Sequence, residues 1–251
     1  MARQKGIIKL KGTLGDITFY KSQDGYLARE KGGVDADRIA NDPKFQRTRE
    51  NGEEFGAAGK AGKMLRTSIR GLLQNIADPR MVGRLTREMV KVLQADLTSI
   101  RGKRNVIDGE TELLIGFEFN LGSKLGTTLF AHYTGTIDRV AGTLTVDIPS
   151  FIPINMVAAP SGATHFKIIT AGTAVDFTNE TFEVTTNETA QLPLDNVATA
   201  IINLVNNVTP ASTNPLFLAL GIEFYQEING VQYPLKNGAY NALSLVTVNG
   251  A

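Results

Sequence analysis

Ile100-Arg101-Gly102-Lys103-Arg104-Asn105 divides this chain of 251 residues into two kinds of sequence. Ahead of it, apolar residues recur every three or four positions. Behind it, they fall in short runs bounded by turn residues. These are the periods of an amphipathic helix and of strands. Reading back from Gly102, the positions Val82, Leu85, Met89, Val92, Ala95 or Asp96, and Ile100 form one stripe. It starts at Asp78-Pro79, a capping residue followed by a proline suited to a first helical turn. An earlier stripe, Phe55, Ala58, Gly62, Leu65, Ile69, Leu72 and Ile76, follows Asn41 or Asp42 with Pro43. Helices over about 42–77 and 79–102 are therefore expected. Their short connection predicts an antiparallel helical hairpin.

Further upstream, residues 5–31 read as short strands. Ile8 and Leu10 alternate with Lys9 and Lys11, and Ile17 and Phe19 flank Thr18. Gly12-Thr13-Leu14-Gly15-Asp16 separates the first two runs, and Asp24-Gly25 is a turn signal before Tyr26-Leu27-Ala28-Arg29. A β-hairpin or three-stranded meander, or an extended arm, is expected. So few strands bury little apolar surface, so the element needs something to pack on.

Downstream of Arg104 the expected strands are Leu113–Phe119, Thr127–Tyr133, Thr143–Ile148, His165–Thr170, Val175–Phe177, Thr181–Thr185, Leu216–Tyr225 and Leu243–Val248. Asn229-Gly230 and Asn237-Gly238 punctuate them. Residues Asn196–Asn207 fit a helix face or a strand equally well. Pro149, Pro153 and Pro160 mark a long connection. Short strands at this spacing predict an antiparallel β-sandwich or an open barrel. The fold class expected is α+β: a basic region over 1–104, then an acidic, sandwich-like β domain over 105–251.

Composition narrows the function classes. Hydrophobic residues make up 42% and charged residues 20%, the balance of a folded chain. Cysteine is absent, which excludes disulfides, thiolate metal sites and cysteine nucleophiles. The first residues carry charge without an apolar core, so no signal peptide is read there. No run approaches the roughly 18 apolar residues of a membrane span. Synthesis in the cytoplasm is expected, with release or surface association only as an assembly. The net charge of +1 conceals an asymmetry. Residues 1–104 hold 22 Lys and Arg against 12 Asp and Glu, a balance of +10. Residues 105–251 hold 4 against 13, a balance of −9.

No constellation carries chemistry on spacing alone. His132 and His165 sit in separate apparent strands, and nothing forces Asp147 or Asp176 to join them on a metal. No serine occupies a nucleophile elbow. Between Gly56 and Gly62-Lys63 stand five residues rather than the four of a phosphate loop, and Met64 follows where Ser or Thr is needed. Gly52, Gly56, Gly59 and Gly62 instead make a smooth strip on a helix. Each glycine there costs about 0.8–1 kcal/mol against alanine, which implies a tight contact in return. Arg66, Arg70, Arg80, Arg84, Arg87, Lys91 and Arg101-Gly102-Lys103-Arg104 could meet phosphates. Acids are interleaved among them, however, and stacking aromatics are missing.

Gly12-Thr13-Leu14-Gly15-Asp16-Ile17-Thr18-Phe19-Tyr20, Gly25-Tyr26-Leu27-Ala28-Arg29 and Gln46-Arg47-Thr48-Arg49-Glu50-Asn51 resemble an uncharacterised family of Bacteroidota-type bacteria. Gly221-Ile222-Glu223-Phe224, Asn229-Gly230 and Tyr240-Asn241-Ala242-Leu243 are similar to it as well. The resemblance implies a bacterial or prophage origin and no activity.

The residues themselves favour a non-catalytic structural subunit, without metal or cofactor. Its expected partner is itself, assembled head to tail into a filament, tube or virion-like particle. The contact residues expected are Ile8, Leu10, Ile17, Phe19, Gly56, Gly59, Gly62, Arg84, Arg87, Lys103 and Arg104. The alternative is a nucleic-acid-associated or adaptor protein using the basic region. A carbohydrate-binding β module or an enzyme has the least support.

Overall fold

Leu14 and Ile17 face each other across the Gly15-Asp16 turn and set the register of the first sheet. Gly15 takes a left-handed conformation there, at φ 57°, which lets the chain reverse at once. The computed structural model describes residues 2–30, 33–34, 36–76 and 78–250, except the side chains of residues 236 and 237. Two ends of expected elements, Lys31 and Ala77, lie outside the described residues. The chain forms two units, Met1–Arg49 and Glu50–Ala251. This division falls in the first turn of the long helix Gln46–Ser68, whereas the charge divides at Arg104.

In the first unit, strands β1 (Ala2–Arg3), β2 (Gly12–Leu14), β3 (Ile17–Ser22) and β4 (Gly25–Glu30) form an antiparallel sheet in the order β1-β4-β3-β2. The meander is present, but its first full strand is not Ile8–Leu10. Gly12–Leu14, expected as a separator, is the strand that pairs with β3. Residues 5–10 loop out instead, fastened at the base by Gln4. Its Oε1 accepts from the Leu10 amide at 2.8 Å, and its Nε2 donates to the Leu27 carbonyl at 3.0 Å. Helix α1 (Ala36–Asn41) follows, then a tight turn at Pro43–Phe45. Asp42 caps that turn by accepting from the Lys44 amide, as its position before proline suggested.

Helix α2 (Gln46–Ser68), the short α3 (Arg70–Leu73) and α4 (Met81–Gln94) supply the hairpin. The inward line of α2 runs through Glu54, Ala58, Ala61, Gly62 and Leu65. Phe55 points outward, 63% exposed, against the expectation that it starts the buried stripe. Gly62 is where the helices approach: a Cβ there would lie 3.6–3.7 Å from Leu85 and Met89. Helix α4 stops at Gln94 rather than near Gly102 because Asp96 forms its own turn. One carboxylate oxygen accepts from the Thr98 and Ser99 amides, and the other from the Asn105 amide.

The remaining chain contains α5 (Leu125–Thr128), β5 (Thr134–Asp138), β6 (Thr143–Ile148), α6 (Pro153–Met156), β7 (His165–Asp176), β8 (Thr181–Glu188) and β9 (Leu192–Pro193). Strands β10 (Ile202–Asn207), β11 (Leu216–Ile228), β12 (Val231–Pro234) and β13 (Ala242–Asn249) complete it. Strand β11 is central, with β7 along one side and β13 then β12 along the other; β8 and β9 flank β7. A second antiparallel sheet has the order β10-β6-β5. The central strands β7, β11 and β13 of the large sheet are buried on both faces. Phe217, Ala219, Ile169 and Leu243 share a cluster with Leu65, Leu85 and Met89 of the hairpin. Leu218, Leu220, Ile222 and Phe166 pack with Leu144, Val146 and Leu204 of the small sheet. Two-sided burial explains the nearly unbroken apolar run Leu216–Tyr225.

Two expected strands are corrected. Leu113–Phe119 begins in a one-turn helix, Thr111–Leu114, and Gly116 at φ 79° breaks the extended path. The segment still lies along β13: Gly116 donates to the Leu245 carbonyl at 2.7 Å and Phe119 to that of Leu243 at 2.8 Å. Thr127–Tyr133 starts as α5, whose last residue, Thr128, donates its hydroxyl to the Lys124 carbonyl. Asn196–Asn207 resolves as strand β10 at its end, and Asn229-Gly230 is the turn between β11 and β12, both residues at positive φ.

Uncharged side chains join the two sheets along two of their edges. Thr185 donates to the Asn207 carbonyl at 2.9 Å and Asn187 to that of Val205 at 3.2 Å, joining β8 to β10. On the other side Thr247 donates to the Gly135 carbonyl at 3.1 Å, joining β13 to β5. Along these edges Thr and Asn do the protective work that charges do on many edge strands. Among the described residues no helix is long and apolar enough to cross a membrane.

Candidate functional site

The first unit is unusual for what it leaves in water. None of the described residues among 2–49 is buried. Yet one face of its sheet carries Leu14, Ile17, Phe19, Tyr26 and Ala28, placed together by the antiparallel register. Phe19 is half-buried; Leu14, Ile17 and Leu10 are exposed. At the tip of the 5–10 loop, Ile7 is fully exposed and Ile8 is 80% exposed. Lys9, beside them, bonds the Gln4 carbonyl and lies over the Tyr26 ring. Ile7 was not among the expected contact residues, although its place between Gly6 and Ile8 in a lysine-flanked tip was visible.

In the second unit the outer face of α2 presents Gly52, Phe55, Gly56 and Gly59, and a Cβ at any of these glycines would meet nothing. Gly62, by contrast, lies against α4. The glycine strip therefore has two uses, one inside the hairpin and one outside.

The basic residues also divide. Arg84 is committed internally: it donates to Asp78 at 2.6 Å and to the Glu118 carbonyl at 2.7 Å, over the Phe117 ring. Arg101, Lys103 and Arg104 face Glu50, Glu53 and Glu54 of α2 at 3.6, 3.6 and 3.9 Å. The Gly102 amide also donates to Glu54 at 2.9 Å. Arg87 is exposed, and among the described residues its ion pair and hydrogen bond are with Glu88. Lys60, Lys63, Arg66 and Arg70 make no ion pair among the described residues. Most acids of the β region meet amides, not cations: Asp138 with Ala141, Asp147 with Asn203, Asp176 with Asn179, Glu183 with Thr209 and Asp195 with Val197. Much of the opposite charge on the two parts is thus left unneutralised.

The most concentrated polar group is Asn75, Lys167, Glu223 and Tyr225. Glu223 is buried, accepting from Asn75 and from the Tyr225 hydroxyl at 2.7 Å each. Burial first, then the bond to Glu223, pushes the Tyr225 phenol up. Burial pulls Lys167 down, but its bond to Glu188 and the charges of Tyr225 and Glu223 outweigh this and raise it. Both shifts move away from neutrality, the wrong direction for proton transfer at pH 7. The group reads as a latch between the turn after α3 and the sheet. His132 is exposed; His165 bonds Thr164 through Nδ1 and lies 3.5 Å from Glu227. Among the described residues no group of acids and histidines could hold a metal ion.

No family model, curated protein or solved structure matches this chain.

Beside α2 lies a cavity of about 550 Å³. Ala57 and Met64 of α2, Val106 and Ile107 of the segment after α4, and Phe177 from the β7–β8 turn make its wall apolar. Lys60, Asp108 and Glu180 stand at its charged rim. Its size falls within the roughly 300–1,000 Å³ of ligand pockets.

Proposed function

We propose that this chain is a non-catalytic subunit that assembles with copies of itself, head to tail, into a filament, tube or virion-like particle. The observation that carries the reading is the first unit. It is a four-stranded sheet with an apolar face and a projecting isoleucine pair, and no described residue of it is buried. A sheet of this size gains stability from a partner that covers its face. Two further observations support it. The charge left over is positive on the helices and negative among the strands, which favours different surfaces meeting rather than like meeting like. Side-chain bonds join the two sheets of the second unit at β8–β10 and β13–β5, which supports reading them as a sandwich-like body.

Nucleic-acid association is the second reading, and the pairing of Arg101, Lys103 and Arg104 with α2 carboxylates weighs against it. Size-exclusion chromatography with light scattering at low and high salt, with and without duplex DNA, separates the two. Self-association expects masses above the monomer that fall with salt and ignore DNA. A monomer that shifts onto DNA with a steep salt slope overturns it.

A further inference from the structure

The self-association reading does not say which surfaces meet, and two features of the chain fit each other. One is a protrusion. The 5–10 loop is fastened at its base by Gln4, which bonds the Leu10 amide and the Leu27 carbonyl. A pinned base makes the tip a defined projection, carrying Ile7 and Ile8 almost wholly in water. Paired aliphatic side chains on a fixed tip are what an interface anchor requires, because little ordering remains to be done on docking. The other feature is a receptacle. The cavity beside α2 is walled by Ala57, Met64, Val106, Ile107 and Phe177 and has room for two aliphatic side chains.

The charges around the two features are complementary. Lys5 and Lys11 bracket the tip, both exposed and without an ion pair among the described residues. Among the described residues at the cavity rim, Glu180 has no hydrogen bond or ion pair, Asp108 meets only the Asn105 side chain, and Lys60 makes no ion pair, so two carboxylates stand there against one cation. We propose that Ile7 and Ile8 of one copy enter the cavity beside α2 of a second copy, with Lys5 set against Glu180 and Asp108. This rests on the self-association reading and specifies its contact. Tip and cavity are different surfaces, so each subunit has one of each. The contact is heterologous, and repeated from copy to copy it builds a ring or an open chain.

A tip of Lys, Gly and Ile could also press into an anionic lipid surface. The cavity on the same chain, whose rim sets Asp108 and Glu180 against Lys60, favours a second copy, and the test separates the two. Two variants of the full chain are needed: Ile8→Glu, which spoils the tip, and Ala57→Trp, which fills the cavity. Circular dichroism shows whether each is folded, and Glu180→Lys replaces Ala57→Trp if the latter is not. Each variant alone is expected to remain monomeric by light scattering. An equimolar mixture is expected to form pairs and nothing larger, because one sound tip meets one sound cavity and the chain then ends. In addition, Lys5→Glu with Glu180→Lys in one chain is expected to recover the association that either change loses.

If the wild type assembles and both variants still assemble alone, tip and cavity are not the contact, although self-association stands. If variants that stay monomeric alone form no pairs when mixed, the contact is likewise refuted. A wild type that is monomeric throughout removes the self-association reading itself. Ile8-dependent binding to phosphatidylserine vesicles by a monomeric wild type assigns the tip to lipid and overturns the proposal.

Discussion

The side-chain amide of Asn75 donates to the Glu223 carboxylate at 2.7 Å, joining the turn after α3 to the middle of β11 across 148 positions of sequence. The Asn241 side chain returns the contact by donating to the Asn75 carbonyl at 3.1 Å. Helical hairpin and sheet are thus fastened by polar bonds as well as by their shared apolar cluster.

Removing the Glu223 carboxylate strands the buried Tyr225 hydroxyl, takes a countercharge from the nearby Lys167, and takes the acceptor from the exposed Asn75 amide. Glu223→Ala is expected to lower stability by about 3 kcal/mol, the scale for stranding partners of a buried charged group. Glu223→Gln, which retains an acceptor, is expected to lose less. Urea denaturation followed by circular dichroism measures both; equal losses would show that the latch does not depend on its acceptor.

The glycines of α2 give opposite expectations by position. Gly56→Ala and Gly59→Ala point into open space and should each stabilise the isolated subunit by about 0.8–1 kcal/mol. Gly62→Ala meets Leu85 and Met89 at ordinary contact distance and should be tolerated, whereas Gly62→Leu should destabilise by about 1–3 kcal/mol through overpacking. Denaturation midpoints at high salt, where assembly is suppressed, report these differences.

Asp96 should make the fold acid-sensitive. Burial alone would raise its carboxyl, but hydrogen bonds from Ser99 and Thr98 hold it well below the usual carboxylate range. Asp78 is lowered too, against the effect of burial, by bonds from the Arg80 amide and Arg84. A group depressed in the folded state contributes stability above its unfolded value, about 3.9 for aspartate, and loses it as pH falls toward the folded value. Stability should therefore be flat in these groups above about pH 5 and decline below about pH 4. Asp96→Asn should flatten that decline. An unchanged slope would remove Asp96 from the account.

How far the sequence reveals this fold depends on where each signal came from. The helical stripes and the runs of β7, β11 and β13 are legible because burial imposes periodicity on them. Phe55 misleads because Glu54 takes the inward position to receive the Gly102 amide, a partner distant in sequence. Leu113–Phe119 misleads because it has strand composition, while its path is set by Gly116 and by the edge of β13. The shared core of hairpin and sheet is invisible to a reading divided by charge at Arg104. Among the expected contact residues, Ile8 and Leu10 alternate with lysines as strand positions would, yet they lie exposed in the loop that Gln4 fastens. The internal commitment of Arg84 was not legible, because Asp78 and the carbonyls of Glu118 and Phe119 reach it only in the folded chain. The cavity beside α2 joins segments far apart and leaves no local pattern.

Head-to-tail association assisted by opposite charges is the claim on which the rest depends. Sedimentation velocity of the full chain, over a wide concentration series at low and high salt, tests it most directly. The expected result is an average mass that rises with concentration without levelling at a dimer, and that rises less at high salt. A single monomeric species at every concentration and both salts would contradict it.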